Sequence, residues 1–194
     1  MFVKALIKNY IIYMKNVLYI HGYHGSSHGS SFNNFKKSLN QLEFNLIGLD
    51  YDMSNANEAI SEIENSIISN DIQIAIASSL GAFLLMGIKA NVMKIIINPC
   101  LAPTIELLKI STGDIDIDSY KIIEDSMIEY ESNKNIGDFD FSNVFGYFST
   151  NDELFGEKYY EWWKMLTNKV INKIPGGHHI SIDAANIISS KLIF

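Results

Sequence analysis

One short stretch carries a serine in a setting where its hydroxyl could act as a nucleophile. The apolar run at 74–77 predicts a buried strand, and small residues then open a helix. This layout is typical of the sharp strand-to-helix turn that exposes a catalytic serine, whose usual pattern is G-x-S-x-G. Ala77 replaces the first glycine and is small enough for strand and helix to approach each other. The spacing to Gly81 favours Ser79 as the nucleophile, with Ser78 as the competing serine.

A serine hydroxyl needs a base, usually a histidine that a carboxylate orients. In proteins with this kind of turn the chain order is serine, then aspartate or glutamate, then histidine. Asp152 follows a later predicted strand, and His179 follows the last one. We therefore predict Ser79, Asp152 and His179 as a catalytic triad. The alternatives for individual members are Glu153, Asp138 or Asp140 for the carboxylate and His178 for the base.

An attacked carbonyl also needs backbone donors for its developing negative charge. The N–H of Leu80, directly after the nucleophile, is one candidate donor, and that of Tyr23, after the first predicted strand, is the other. Gly22 would let the backbone pass close to the serine, and His21 would hydrogen-bond this loop. We predict that His21, Gly22 and His24 line the substrate site.

The elements that must position these residues alternate between strand and helix. Apolar runs predict strands at 17–20, 45–49, 72–77, 94–97, 144–148 and 169–174. Helical spacing of apolar residues predicts helices at 32–42, 56–68, 80–90, 104–109, 120–130, 159–166 and 180–192. The alternation predicts an α/β fold whose largely parallel sheet has helices on both faces. Active sites of such sheets lie at the carboxyl ends of the strands, where the following residues fall: His21, Ser79, Asn98, Asp152 and His179.

The alternation falters between residues 100 and 143. A short helix and a polar loop precede a helix with four acids, namely Glu124, Asp125, Glu129 and Glu131. These acids favour a solvated helix face, although a cap over the active site would have the same pattern. The length predicts one domain over 1–194, with 100–143 as a possible cap segment.

Five motifs in the same order resemble the small bacterial esterases of the YqiA type, within the α/β-hydrolase superfamily. They are Ile20-His21-Gly22-Tyr23, Ala77-Ser78-Ser79-Leu80-Gly81-Ala82, Asn98-Pro99, Thr150-Asn151-Asp152-Glu153 and Gly176-Gly177-His178-His179. The resemblance runs from Val17 to the C-terminus and places His179 at the family's histidine. The sequence departs from the family pattern by Ala77, Ala82 and Asn151 in place of glycine and by a histidine at position 178. The resemblance implies hydrolysis of short-chain esters without a metal or organic cofactor.

Composition excludes several other classes of function. A net charge of −7 disfavours binding to a nucleic-acid backbone, which requires a basic patch. No apolar run reaches the length of a membrane span. The histidines at 21, 24 and 28 match no compact metal-ligand spacing, and no phosphate-binding loop follows the glycines there. The only cysteine, Cys100, has no partner for an internal disulfide, which favours a cytoplasmic location and a buried, inert thiol.

Residues 1–13 precede the first predicted strand. The apolar stretch at 1–13 is broken by Lys8, and no small-residue cleavage site follows, so we expect no signal peptide. Translation could start at Met14, or residues 2–13 could add an edge strand or a short helix.

We predict a small-molecule ester as the substrate. Two alternative functions remain: a thioesterase or acyltransferase with the same triad, and a non-catalytic binding protein on the same fold.

Overall fold

The structure is a computed structural model that describes residues 15–111, 113, 115–132 and 141–192. Within these residues, six strands and seven helices follow one another. The strands are β1 (Asn16–Ile20), β2 (Asn45–Leu49), β3 (Ile72–Ser78), β4 (Met93–Ile97), β5 (Val144–Ser149) and β6 (Asn172–Ile174). The helices are α1 (Ser30–Asn40), α2 (Ala56–Ser69), α3 (Ser79–Met86), α4 (Pro103–Ile110), α5 (Ile117–Ser132), α6 (Lys158–Thr167) and α7 (Ile182–Ser190).

All six strands are parallel and lie in the order β2-β1-β3-β4-β5-β6. The predicted α/β class and parallel sheet are therefore confirmed. Strand β2 lies on one side of β1, and the chain then adds β3 to β6 in succession on the other side. The loops that follow β1 and β3 consequently diverge at the carboxyl edge of the sheet and leave a crevice between them.

Successive side chains of a strand point to opposite faces of the sheet, so both faces carry apolar side chains. Helices cover both faces. On one face, Leu18 and Ile20 of β1 pack into a core to which α2, α3, α5 and α6 contribute. On the other face, Val17 and Tyr19 of the same strand pack into a second core with α1 and α7. Trp163 of α6 is fully buried in the first core. The sheet is therefore a rigid two-sided platform for the loops at its carboxyl edge.

Several element boundaries differ from the sequence-based prediction. Helix α3 ends at Met86 instead of residue 90, because Gly87 follows as the C-cap. The last strand begins at Asn172 instead of residue 169, since Asn168 adopts a left-handed conformation with φ 52° after α6. Ile68, the last apolar residue of the predicted helix at 56–68, is 78% exposed and does not contribute to the core.

The segment at 100–143 contributes α4 and α5 to the described structure. Glu124 of α5 accepts a hydrogen bond from the backbone N–H of Thr104 at 3.1 Å and another from its hydroxyl. The prediction that this acid belongs to a solvated helix face is therefore wrong, because its carboxylate binds the first turn of α4. The alternative carboxylates Asp138 and Asp140, and the predictions for residues 1–14, lie outside the described residues.

No helix in the part of the chain that the structure describes is both long enough and apolar enough to cross a bilayer. Among the same residues, no group of three or more histidine, cysteine, aspartate or glutamate side chains could hold a metal ion.

The contact between α3 and β1 generates a stability prediction. A Cβ atom at Gly81 would overlap the carbonyl oxygens of Ile20 and His21, and both of these are backbone atoms that cannot swing away. We expect Gly81→Ala to lower the free energy of unfolding by about 1–3 kcal/mol, the usual cost of overpacking a tight contact. Urea unfolding followed by circular dichroism measures this change.

Gly29→Ser is the matched control for the Gly81 variant. The nearest atom to a Cβ at Gly29 lies 3.4 Å away, and serine is a favourable residue at the N-cap of α1. We expect no loss of stability in the control. Equal losses in the two variants would contradict the steric explanation.

Candidate active site

Ser79 lies at the turn between β3 and α3. It is the first residue of the helix and has φ 54°, a left-handed conformation that costs a non-glycine residue free energy. Its carbonyl oxygen accepts a hydrogen bond from the N–H of Cys100 at 3.1 Å, which ties the turn to the chain after β4. The neighbouring Ser78 lies in β3, and its Oγ is 3.2 Å from the hydroxyl of Tyr19. Both serines line a cavity at the carboxyl edge of the sheet. They differ in that Ser78 contacts the Tyr19 hydroxyl from within β3, whereas Ser79 occupies the strained turn.

The loop after β1 runs beside Ser79. A Cβ atom at Gly22 would lie 2.7 Å from Cβ of Ser79 and 3.3 Å from its Oγ, so only glycine allows this approach. Tyr23 follows and lines the same cavity. Leu80, on the other side of the serine, is in the first turn of α3, where backbone N–H groups have no partner within the helix. Both predicted oxyanion donors are therefore residues of this cavity.

His21 lines the cavity but is bound to the protein at several points. Its Nδ1–H donates to the carbonyl oxygen of Gly22 at 2.8 Å, and its Nε2 lies 3.4 Å from Oδ1 of Asp50. The ring stacks on Tyr51, whose hydroxyl donates to the carbonyl oxygen of His21 at 2.7 Å. These contacts indicate that His21 braces the loop. His24 is more exposed, lines the cavity, and has its ring centroid 4.0 Å from that of Tyr23.

The histidine that contacts Asp152 is His178. Its Nδ1 lies 3.1 Å from Oδ1 and 3.2 Å from Oδ2 of the carboxylate, and only 9% of its side chain is exposed. His179 was predicted at this position, but its ring lies on the exposed side of the loop, with its centroid 6.2 Å from that of His178. Both rings line the cavity that contains Ser79. The structure thus pairs Asp152 with the first histidine of the loop, one residue earlier than the predicted partner.

Asp152 lies just after β5, and its side chain is only 5% exposed. Burial alone would raise the pKa of this carboxyl. The contact with His178 and the backbone N–H groups of Leu154 and Phe155 outweigh burial and hold the pKa below its usual value. The group is therefore a carboxylate at neutral pH. Phe155 also packs edge-on against the imidazole, with ring centroids 4.9 Å apart.

Glu153, the predicted alternative carboxylate, contacts a different part of the same histidine. Its Oε2 accepts the backbone N–H of His178 at 2.9 Å, and this hydrogen bond lowers the pKa of Glu153. The imidazole ring of His178 contacts Asp152 instead. The two neighbouring acids therefore bind the ring and the main chain of one residue.

Helix α4, which lies in the segment at 100–143 that the sequence marks as a possible cap, forms a wall of the cavity. The cavity has a volume of about 760 Å³, and α4 contributes Glu106, Leu107, Lys109 and Ile110 to it. Glu106 accepts hydrogen bonds from Lys158 at 2.6 Å, from the Tyr159 hydroxyl at 2.9 Å and from Lys109 at 3.0 Å. These contacts join α4 to α6 and place charges in an otherwise apolar wall. The sequence predicts a helix here within a possible cap segment, but it does not indicate which of the helix residues line the cavity.

Cys100 also lines the cavity, at the point where the chain leaves β4. The residue is 3% exposed, and burial, assisted by the negative charge of Glu106, strongly raises the pKa of its thiol. The thiol is therefore protonated at neutral pH and a poor nucleophile. Ser79 is the better nucleophile candidate of the two residues.

One cavity thus contains a serine hydroxyl in a strained turn, an imidazole held by a buried carboxylate, and the residues with candidate oxyanion N–H groups. This combination can support nucleophilic attack on a carbonyl carbon, with the imidazole as the proton acceptor. The described residues supply these groups from the ends of β1, β3, β5 and β6.

No family model and no curated protein matches the sequence. Solved structures do match. Est1E from Butyrivibrio proteoclasticus superposes with a TM-score of 0.66 at 14% identity, over 92% of this chain and 85% of that one. The ydeN gene product from B. subtilis gives 0.60 at 17% identity, over 92% and 97% of the two chains. The esterase domain of a Rhodothermus marinus protein gives 0.65 at 12% identity, over 94% and 87%. The chain has the α/β-hydrolase fold.

Proposed function

We propose that the protein is a serine hydrolase that cleaves carboxylic esters of short acyl chains. The observation that carries this proposal is that Ser79, in a strained turn, faces the same cavity as the imidazole of the His178–Asp152 pair. Fold alone does not assign a reaction, because one fold supports many activities. One of the similar structures, from Rhodothermus marinus, is named as an esterase domain, which adds support.

In the proposed reaction, Oγ of Ser79 attacks the ester carbonyl carbon while Nε2 of His178 takes the hydroxyl proton. The carbonyl oxygen gains negative charge and accepts the N–H groups of Leu80 and Tyr23. The bond to the alcohol oxygen then breaks, and His178 returns the proton to the leaving alcohol. A water molecule attacks the acyl-enzyme with the same base, which releases the carboxylic acid and restores Ser79.

Asp152 has two tasks in this scheme. Because Nδ1–H of His178 donates to its carboxylate, the ring is held in the tautomer whose Nε2 lone pair is free. The carboxylate also stabilises the imidazolium that forms when the serine proton is taken. Its lowered pKa keeps it charged for both tasks.

There are two alternatives to this function. One is an enzyme with a different acyl donor or acceptor, and the other is a protein without catalytic activity. A thioesterase or acyltransferase would use the same residues, and comparison of matched oxygen esters and thioesters distinguishes it. A binding protein on this fold would lack the chemistry altogether. The nucleophile test therefore comes first.

The nucleophile prediction concerns Ser79. A fluorophosphonate reagent phosphonylates activated serines, and we expect it to label the protein once, at Ser79, with loss of ester hydrolysis. Ser79→Ala should abolish both labelling and hydrolysis while retaining its circular dichroism spectrum. Mass spectrometry of the digested protein locates the label.

Ser78→Ala is the control for the nucleophile test, since Ser78 is the adjacent hydroxyl and contacts Tyr19. This variant should still be labelled. Labelling that persists in Ser79→Ala would rule out the assignment.

The base prediction compares two adjacent histidines. We expect His178→Ala to lower kcat by roughly 10⁴-fold or more, because it removes the imidazole that Asp152 orients. His179→Ala should change kcat far less, since that ring lies on the exposed side of the loop. Steady-state hydrolysis of a p-nitrophenyl ester measures both. The opposite ranking would return the base to the position that the sequence favoured.

The acyl-chain prediction follows from the wall formed by α4. Ile110 is exposed and offers apolar surface, whereas Leu107 is almost fully buried, and Glu106 and Lys109 add charges to the same wall. A long acyl chain that covered this wall would remove water from these charges, which costs free energy. We therefore expect kcat/KM for p-nitrophenyl esters to be highest for short acyl chains and to fall as the chain lengthens. A maximum at long chains would contradict the proposed substrate class.

A further inference from the structure

Asn98 occupies the position directly after β4, beneath the loop that contains His178. It is 1% exposed and adopts a left-handed conformation with φ 42°. Its Nδ2 donates to Oγ of Ser149 at 2.9 Å, to the carbonyl oxygen of His178 at 3.1 Å and, at 3.4 Å, to that of Gly177. Its Oδ1 accepts the backbone N–H of Ser149 at 2.8 Å. One buried amide therefore joins the end of β5 to the histidine loop.

Glu153 holds the same residue from the other side. Its carboxylate accepts the N–H of His178 at 2.9 Å, so both main-chain polar groups of this histidine bind side chains. Neither contact touches the imidazole, which Asp152 holds through Nδ1. The main chain and the ring of His178 are thus fixed by separate residues.

We propose that Asn98 and Glu153 are positioning residues for the general base. The inference rests on the proposed function, and it adds two residues that act through His178 without touching the substrate's reacting atoms. A catalytic side chain must be held within a fraction of an ångström by its supporting contacts, and a 1 Å displacement can cost about 10²-fold in rate. Each proposed contact has a distinct chemical requirement: a donor at position 98 and an acceptor at position 153.

A purely structural role for Asn98 is the competing explanation. The amide also bonds Ser149, so it could serve only to hold β4 and β5 together. The two explanations differ in which contact matters for turnover. Positioning requires the donor bond to the carbonyl of His178, whereas strand pairing requires the bonds to Ser149.

The central variant is Asn98→Asp. Aspartate preserves the shape and the acceptor for the N–H of Ser149 and tolerates the left-handed conformation. In its ionised form it replaces the donor with a second acceptor, which repels the carbonyl oxygen of His178. We expect fluorophosphonate labelling of Ser79 to slow at least about ten-fold, with a similar fall in kcat and little change in KM. Ser149→Ala is the matched control, because it removes one partner of the amide and leaves the bond to His178. It should lose less than about three-fold.

A double variant separates positioning from general damage. If Asn98 acts through His178, adding Asn98→Asp to His178→Ala should cause no further slowing of the residual labelling, because the base is already gone. A structural defect would slow labelling in both backgrounds. Urea unfolding of each variant checks that the proteins compared are folded.

The exposed Glu153 gives an independent test that does not depend on the folding of the Asn98 variant. Glu153→Gln keeps an oxygen acceptor for the N–H of His178, whereas Glu153→Leu removes it. We expect Glu153→Leu to slow labelling about three- to ten-fold, less than Asn98→Asp because the contact is exposed, with most of the rate restored by glutamine. Glu157→Leu, at an exposed acid on the same segment, should label at the wild-type rate.

The outcomes separate this inference from the proposed function. A wild-type protein that fluorophosphonate does not label would overturn the proposed function and the inference with it. A labelled wild type whose Asn98→Asp and Glu153→Leu variants react equally fast would overturn the inference alone. Equal losses in Asn98→Asp and Ser149→Ala would assign Asn98 to strand pairing.

Discussion

The close approach of the Ser79 turn to the end of β1 is the constraint on which the rest of the site depends. Gly22 and Gly81 lie on either side of this contact, and a Cβ at either position would meet neighbouring atoms of the other element. Because β1 and β3 are adjacent and parallel, the contact holds the loop after β1 beside the serine. Residues far apart in sequence can therefore contribute the candidate oxyanion donors and the candidate nucleophile to one place in the fold.

The sequence predicted the platform well because its signals are local and strong. The apolar run of β3, the small residues after it and the alternation of strands with helices predict an α/β fold, with the candidate active site at the carboxyl edge. The predicted bounds of β2 agree with the structure residue by residue. Propensity could not locate the end of α3 or the start of β6, where single residues such as Gly87 and Asn168 decide.

The histidine pair shows where sequence reasoning reached its limit. Two adjacent histidines follow two glycines, and the register of the resemblance to the small esterases favoured the second. A one-residue difference reverses the direction of a side chain, and the direction is decided by contacts that are distant in sequence. Asp152 and Phe155 enclose His178, while Asn98 and Glu153 bind its main chain. None of these residues lies near the pair in sequence, so only the folded chain distinguishes the two rings.

The conformations at two neighbouring strand ends explain why the site needs such a rigid platform. Ser79 after β3 and Asn98 after β4 both adopt left-handed conformations, with φ 54° and 42°. Each such residue costs roughly 1–3 kcal/mol and persists only where surrounding contacts hold it. The strands beneath them supply those contacts, because residues such as Ala77 and Ile96 are fully buried. The strain points one side chain into the cavity and the other towards the histidine loop. The packing of the buried sheet thus maintains two backbone conformations that neither residue would adopt alone. These conformations hold the proposed nucleophile and the proposed support of its base at neighbouring strand ends.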